Sequence, residues 1–135
     1  MVVTREYIVV LPFTCKEYLV AQRWFEARKA PGEVLESEIY DPMRTGEHGL
    51  HTKRVCSNDN RTPGFIKAIA PAGSLDMHEE TWLCSDHHKS VLTNGYLKDK
   101  LSINVTTKFQ PDTGNTKNIH NLPVHKLKWI DQFNI

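Results

Sequence analysis

Thr14-Cys15-Lys16-Glu17 stands directly after an apolar run, Tyr7 to Leu11, that Pro12 stops. A Ser or Thr with a Glu three residues later forms a capping box. Each side chain meets a backbone N–H at the open end of a helix, so the tetrapeptide marks a helix start. The run before it is β-branched, aromatic or leucine, and predicts a buried strand. The helix is expected to reach about Lys29 and to end before Pro31-Gly32, with Arg28 and Lys29 against its negative end. At the helical repeat Cys15, Tyr18, Leu19, Gln22 and Phe25 share one face, while Val20, Trp24 and Ala27 gather on the back. A helix apolar on two faces is expected to be covered on both, or to carry an exposed contact patch.

Short strands separated by turns follow. Val34 to Tyr40 alternates acidic and apolar residues up to the Asp41-Pro42 turn, and Gly49 to Ser57 makes a second, largely polar strand. Leu75 to Cys84 and Ser90 to Thr93 read as strands, the latter ending in the turn pair Asn94-Gly95. Leu101 to Phe109 alternates as a half-buried strand does, before the turn Pro111-Asp112-Thr113-Gly114. The last twenty residues are weakly patterned, with Leu127, Trp129, Ile130 and Phe133 as expected anchors. One strand, one helix and a meander of strands predict an α+β fold with an antiparallel sheet. At 135 residues the chain is expected to form one domain, 1–135, with a core of its own.

Seventeen basic side chains stand against sixteen acidic ones, a net charge of +1 that argues against a dedicated nucleic-acid partner. The Tyr7 to Phe13 stretch is too short to cross a bilayer and has no signal-peptide cleavage pattern, so a cytoplasmic location is expected. Cys15, Cys56 and Cys84 make neither an even disulfide set nor a CxxC pair, and read as reduced thiols. Cys84-Ser85-Asp86-His87-His88 offers thiolate and imidazole at a spacing that zinc accepts. No second pair accompanies it, and strand alternation would send the two histidines to opposite faces; a surface turn is the stronger reading, and no metal is expected. No nucleophile elbow, P-loop or dinucleotide fingerprint is present, so no enzymatic role and no cofactor are expected.

Two stretches carry more chemistry. Pro63 to Pro71 is short, apolar, flanked by Gly and Pro, and carries Arg61 and Lys67. It is either a helical turn packed on the core or a lid with apolar tips and basic flanks, suited to touching a membrane surface. In His51-Thr52-Lys53-Arg54, strand alternation puts Thr52 and Arg54 on one face. A hydroxyl beside a guanidinium can hold a phosphate, though such a pair is more often a solvated strand face.

The order of motifs resembles the phosphatidylinositol transfer proteins. Arg5-Glu6-Tyr7-Ile8-Val9-Val10-Leu11-Pro12 is similar to that family's opening strand, with its Glu17-Tyr18 helix start behind it. Ala70-Pro71-Ala72-Gly73-Ser74-Leu75-Asp76-Met77-His78-Glu79-Glu80-Thr81-Trp82 resembles its A-P-x-G-x-L-x-x-H-E-x-x-W run. Thr93 to Tyr96, Thr107 to Gly114 and Asn118-Ile119-His120 continue the likeness in order. The resemblance implies a START-like helix-grip fold, a curved antiparallel sheet around one phospholipid, with the N-terminal helix after strand 1. It implies phospholipid binding and transfer between membranes, the phospholipid being a carried ligand and the membrane surface a transient, peripheral partner. It also implies headgroup contacts at Thr52, Arg54, Ser90 and Thr107. The lipid-exchange loop would lie at about Pro63 to Met77, with Phe65, Ile66, Ile69, Leu75 and Met77 meeting acyl chains or membrane.

Departures from the family pattern are expected to matter. Leu83 stands where the family has a headgroup Asn, His88 where it has a cysteine along the lipid, and Arg54 where it has Lys. The family is longer, and the resemblance implies a shortened domain lacking the C-terminal helix that closes the cavity. A diacyl lipid needs a cavity of roughly 1,000 Å³ or more, which a domain this short cannot easily hollow out. The open sheet face is therefore expected to be covered by a second copy of the chain or by a partner chain. A non-transferring relative, acting as a protein- or membrane-interaction module, is the alternative function.

Overall fold

The computed structural model describes residues 2–28, 34–39, 49–57, 62–126 and 130–134. Strand β1 (Glu6–Val10) leads into helix α1 (Cys15–Arg28), followed by β2 (Val34–Ile39) and β3 (Gly49–Ser57). Helix α2 (Gly64–Ile69) precedes β4 (Asp76–Cys84), β5 (His87–Asn94), β6 (Ser102–Lys108) and β7 (Ile130–Asn134). The capping box forms as read: the Thr14 backbone N–H donates to Glu17 Oε2 at 2.8 Å, and the Glu17 N–H donates to Thr14 Oγ1 at 3.2 Å.

Strands β2 to β6 pair in chain order as one antiparallel sheet, which is the expected meander and an α+β fold. Gly49 is needed where β3 meets β4, because a Cβ there would stand 2.5 Å from the Leu83 carbonyl oxygen. β1 stays out of that sheet and pairs in parallel with β7, from Glu6 opposite Ile130 to Val10 opposite Asn134. The weakly patterned end of the chain thus contains a strand.

Three expectations are corrected. β1 is not a buried strand: Tyr7 and Val9 are 54% and 46% exposed while Glu6 is buried, since a two-stranded ribbon leaves one side to solvent. β6 is not half-buried; it is the sheet's edge, with Ile103 and Val105 each 47% exposed. β5 begins at His87 rather than Ser90, so the histidines belong to a strand and only Ser85-Asp86 turns. The ends predicted at Lys29, Pro31-Gly32 and Asp41-Pro42, together with Arg61, Leu127 and Trp129, lie outside the described residues.

The α1 faces are also redistributed. Cys15, Tyr18, Leu19 and Gln22 are half-buried as expected, but Phe25 is exposed, and the buried residue on that stripe is Glu26. Val20 and Trp24 stay open on the back, with the Arg28 guanidinium 4.7 Å over the Trp24 ring. Among the described residues, only Leu83 and Cys84 are both apolar and buried, so the expected core is thin there. The deeply buried positions are mostly polar: Glu6, Glu26, His51, Thr52, Arg54, Thr81, Ser90 and Asn94.

Candidate functional site

Side chains two apart on a strand share a face, and register extends that face across the sheet. Thr52 on β3 stands opposite Thr81 on β4, Thr81 opposite Ser90 on β5, and Ser90 opposite Val105 on β6. The next row is Arg54, Glu79, Leu92 and Ile103; on the other side lie Leu50, Leu83, His88 and Thr107. The sheet therefore gathers Thr52, Arg54 and Ser90 in adjacent rows, all buried. Thr107 shares the face but is half-buried on the edge strand, one row away from Ser90.

Helix α1 supplies the residue that completes this face. The Arg54 guanidinium donates through Nη2 to Glu26 Oε2 at 3.0 Å, with both side chains 3% exposed. Its Nε lies 3.4 Å from Glu79 Oε2, and Glu79 Oε1 accepts from Ser90 Oγ at 3.2 Å. Gln22, one turn earlier on α1, donates to Glu26 Oε1 at 3.4 Å, and His88 Nε2 lies 3.9 Å from that same oxygen. His88 is half-buried beside this α1 carboxylate, beyond hydrogen-bond distance of it. One guanidinium meets two carboxylates, one from the helix and one from the neighbouring strand. Such a cluster is held by its hydrogen bonds as much as by charge, because burial removes the hydration of every member.

The other sheet face is organised around Trp82. The His51 ring stacks on it at 5.1 Å, His51 Nε2 is 2.7 Å from Glu80 Oε1, and Lys89 Nζ sits 5.2 Å over the indole. Burial raises the phenol pKa of Tyr18, whose ring lies 4.9 Å from Phe109. The hydrogen bond from His87 holds the Asp86 carboxyl below its usual range. Cys84 is buried while His87 and His88 leave on opposite faces, and no group of three or more metal-ligating side chains stands together among the described residues.

The predicted lid divides. α2 leaves Phe65 72%, Ile66 37% and Ile69 79% exposed, so the packed-turn reading fails for these three. Leu75 and Met77 are half-buried instead, because the turn after α2 is tied down. Asn94 donates to the carbonyls of Ser74 and Asp76, both at 2.9 Å, and its Oδ1 accepts from the N–H groups of Tyr96 and Leu97 at 3.0 and 2.9 Å. A recess of about 200 Å³ lies between α2 and β4, lined in part by Lys67, Pro71 and Leu75. A more open apolar recess of about 560 Å³ runs along Lys16, Val20, Ala21 and Trp24, on the side of α1 turned away from Glu26. Both fall below the roughly 1,000 Å³ upper range of ligand cavities.

Sequence reasoning missed Glu26, Glu79 and Asn94. The signal for Glu26 was available: 15, 19, 22 and 26 recur at the helical repeat, placing an acid on the stripe that faces the sheet.

A helix-bearing antiparallel sheet with a buried polar face and an exposed apolar helix defines an α+β fold; no helix among the described residues is long and apolar enough to cross a bilayer. A family model described as phosphatidylinositol transfer protein matches residues 2–134, and the chain belongs to that family. It is 33% identical to the phosphatidylinositol transfer protein beta isoform of Homo sapiens, over 97% of this chain and 51% of that protein. Identity to phosphatidylinositol transfer protein 1 of Dictyostelium discoideum is also 33%, over 92% of this chain and 49% of that one. Protein retinal degeneration B of Drosophila melanogaster is 30% identical over 92% of this chain and 10% of its own length. The chain spans about half the length of the first two relatives.

Proposed function

We propose that this chain binds a phospholipid on the α1-facing side of its sheet and carries it between membranes. The observation that carries the reading is the convergence of Thr52, Arg54 and Ser90 in adjacent buried rows. Hydroxyl and guanidinium donors in one polar cluster suit a phosphate headgroup. Thr107, half-buried on the same face, completes the headgroup set at the sheet edge. Phe65, Ile66 and Ile69 would enter the interfacial layer of a membrane during exchange, while Leu75 and Met77 would meet the acyl chains. The chain is read as a helix-grip carrier acting at the cytoplasmic side of membranes, without catalysis or cofactor. Phosphatidylinositol-type lipids are the favoured cargo, since the relatives are named for that lipid.

A second reading has its own support. Arg54 is already engaged by two carboxylates, and Ile103 and Val105 leave the same sheet face open and apolar. A non-transferring interaction module, covered there by a second copy or another chain, would have both features. Native mass spectrometry after incubation with vesicles separates the readings. A carried phospholipid that diminishes in Thr52→Ala and Ser90→Ala supports the carrier. An empty chain, or equal loading of both variants, removes those residues from a headgroup site.

A further inference from the structure

We propose that Asn94-Gly95 is a self-modification site: loss of ammonia from Asn94 turns a hydrogen-bond donor into a carboxylate and releases the turn that ties α2 to the sheet. An asparagine side chain can close a small ring onto the next residue's nitrogen, and glycine at that place leaves the approach open. The Gly95 nitrogen attacks Cγ of Asn94, the new C–N bond forms, and the bond to Nδ2 breaks. Ammonia leaves with the Gly95 amide proton. Water then opens the cyclic imide at either carbonyl, giving an aspartate or its isomer linked through the side-chain carbon, and the acid proton goes to solvent. Water is the co-reactant, and it has access: Gly95 is exposed and Tyr96 is 52% exposed.

In the closed turn the amide is fully engaged. Nδ2 donates to the carbonyls of Ser74 and Asp76, both at 2.9 Å, with Met77 Sδ at 3.8 Å. Oδ1 accepts from the N–H groups of Tyr96 and Leu97 at 3.0 and 2.9 Å. These bonds hold the amide away from ring closure, so the reaction proceeds from local openings of the turn. Openings are within reach because little else fastens this segment. Pairing of β4 with β5 stops at Met77 opposite Asn94, and it is the Asn94 side chain that extends the link from β5 to Ser74. No residue of α2 is buried, and Gly73, at φ +75°, bends the chain between α2 and β4.

Deamidation reverses one half of the pattern. Oδ1 keeps its two N–H donors, but the atom that faces the Ser74 and Asp76 carbonyls becomes an acceptor. Three oxygens then meet in a buried place with no proton between them, where an unsatisfied acceptor is most unfavourable. The isomer adds a carbon to the main chain at the end of β5 and disturbs the turn further. Since the ammonia has gone, the turn does not re-form, and a transient opening becomes a permanent one. The stretch that carries Phe65 and Ile69 in solvent is thereby freed from the sheet.

The test ages the unaltered chain in mildly alkaline buffer, beside Gly95→Ala and a urea-unfolded sample, and locates the mass gain by peptide mass spectrometry. Asn94 is expected to deamidate in the folded chain, more slowly than in the unfolded one, and several-fold more slowly again in Gly95→Ala. That variant keeps the turn, because a Cβ at Gly95 makes an ordinary contact 3.4 Å from His78 Nε2 and the Gly95 φ lies outside the left-handed region. Hydrogen–deuterium exchange is then read on the aged fraction and on Asn94→Asp. The Ser74 and Asp76 amides are expected to exchange about tenfold faster, while amides in the middle of β4 keep their rate. The aged fraction serves even where Asn94→Asp folds poorly. A folded chain that keeps Asn94 intact while the unfolded sample loses it overturns the proposal. Unchanged exchange at Ser74 and Asp76 in the deamidated chain overturns it as well.

Discussion

Arg54→Met asks how much the buried cluster contributes to holding α1 against the sheet. Methionine preserves the unbranched stem and removes the guanidinium that meets both Glu26 and Glu79, whose side chains are 3% and 12% exposed. Breaking a buried pair by removing one partner costs about 3–5 kcal/mol, because the other charge is left behind. Urea unfolding followed by far-ultraviolet circular dichroism at pH 7 measures the loss. A folded domain of this size holds about 5–15 kcal/mol in total, so the variant should fold but with a much earlier midpoint. A loss under about 0.5 kcal/mol at pH 7 would refute the reasoning and leave the Glu26 contact without energetic weight.

Thr14→Ala removes the hydroxyl that caps α1 and should cost about 1 kcal/mol, read as a lower thermal midpoint and reduced helicity. The Thr14 backbone N–H, then its hydroxyl, hold the Glu17 carboxyl below its usual range. The Glu17 contribution is therefore complete above the ordinary carboxylate value and lost as pH falls through the folded one, a titration that nuclear magnetic resonance of Glu17 would follow. Asn94→Ala deprives two carbonyls and two N–H groups of partners around the Ser74 and Tyr96 turns, and should cost about 2–3 kcal/mol in urea unfolding. The paired change Phe65→Glu and Ile69→Glu should alter stability by less than about 0.5 kcal/mol, since both side chains stand in solvent, yet abolish vesicle-to-vesicle transfer. Undiminished transfer by that variant would remove α2 from membrane contact.

The parts of the fold that were legible in the sequence are those governed by neighbours in the chain. The capping box, the β3 strand over Gly49–Ser57 and the Asn94-Gly95 turn rest on interactions within a few residues, and each forms where it was read. β7 was illegible for the opposite reason. Its register with β1 joins Glu6 to Ile130, across nearly the whole chain, and no local pattern encodes such a partner. Burial was misjudged wherever it depends on what lies across the element. Tyr7 and Val9 on β1, and Ile103 and Val105 on β6, have strand chemistry but stand at ribbon and sheet margins.

The site was half legible for a related reason. Alternation alone places Thr52 and Arg54 on one face, and that face exists. What alternation cannot say is which charge meets Arg54 there, because Glu26 is 28 residues away on another element. Apolar periodicity treats an acid on a helix stripe as an interruption of the pattern. In a chain whose described core is thin, that interruption joins the 14-residue helix to β3 through a hydrogen bond at 3.0 Å.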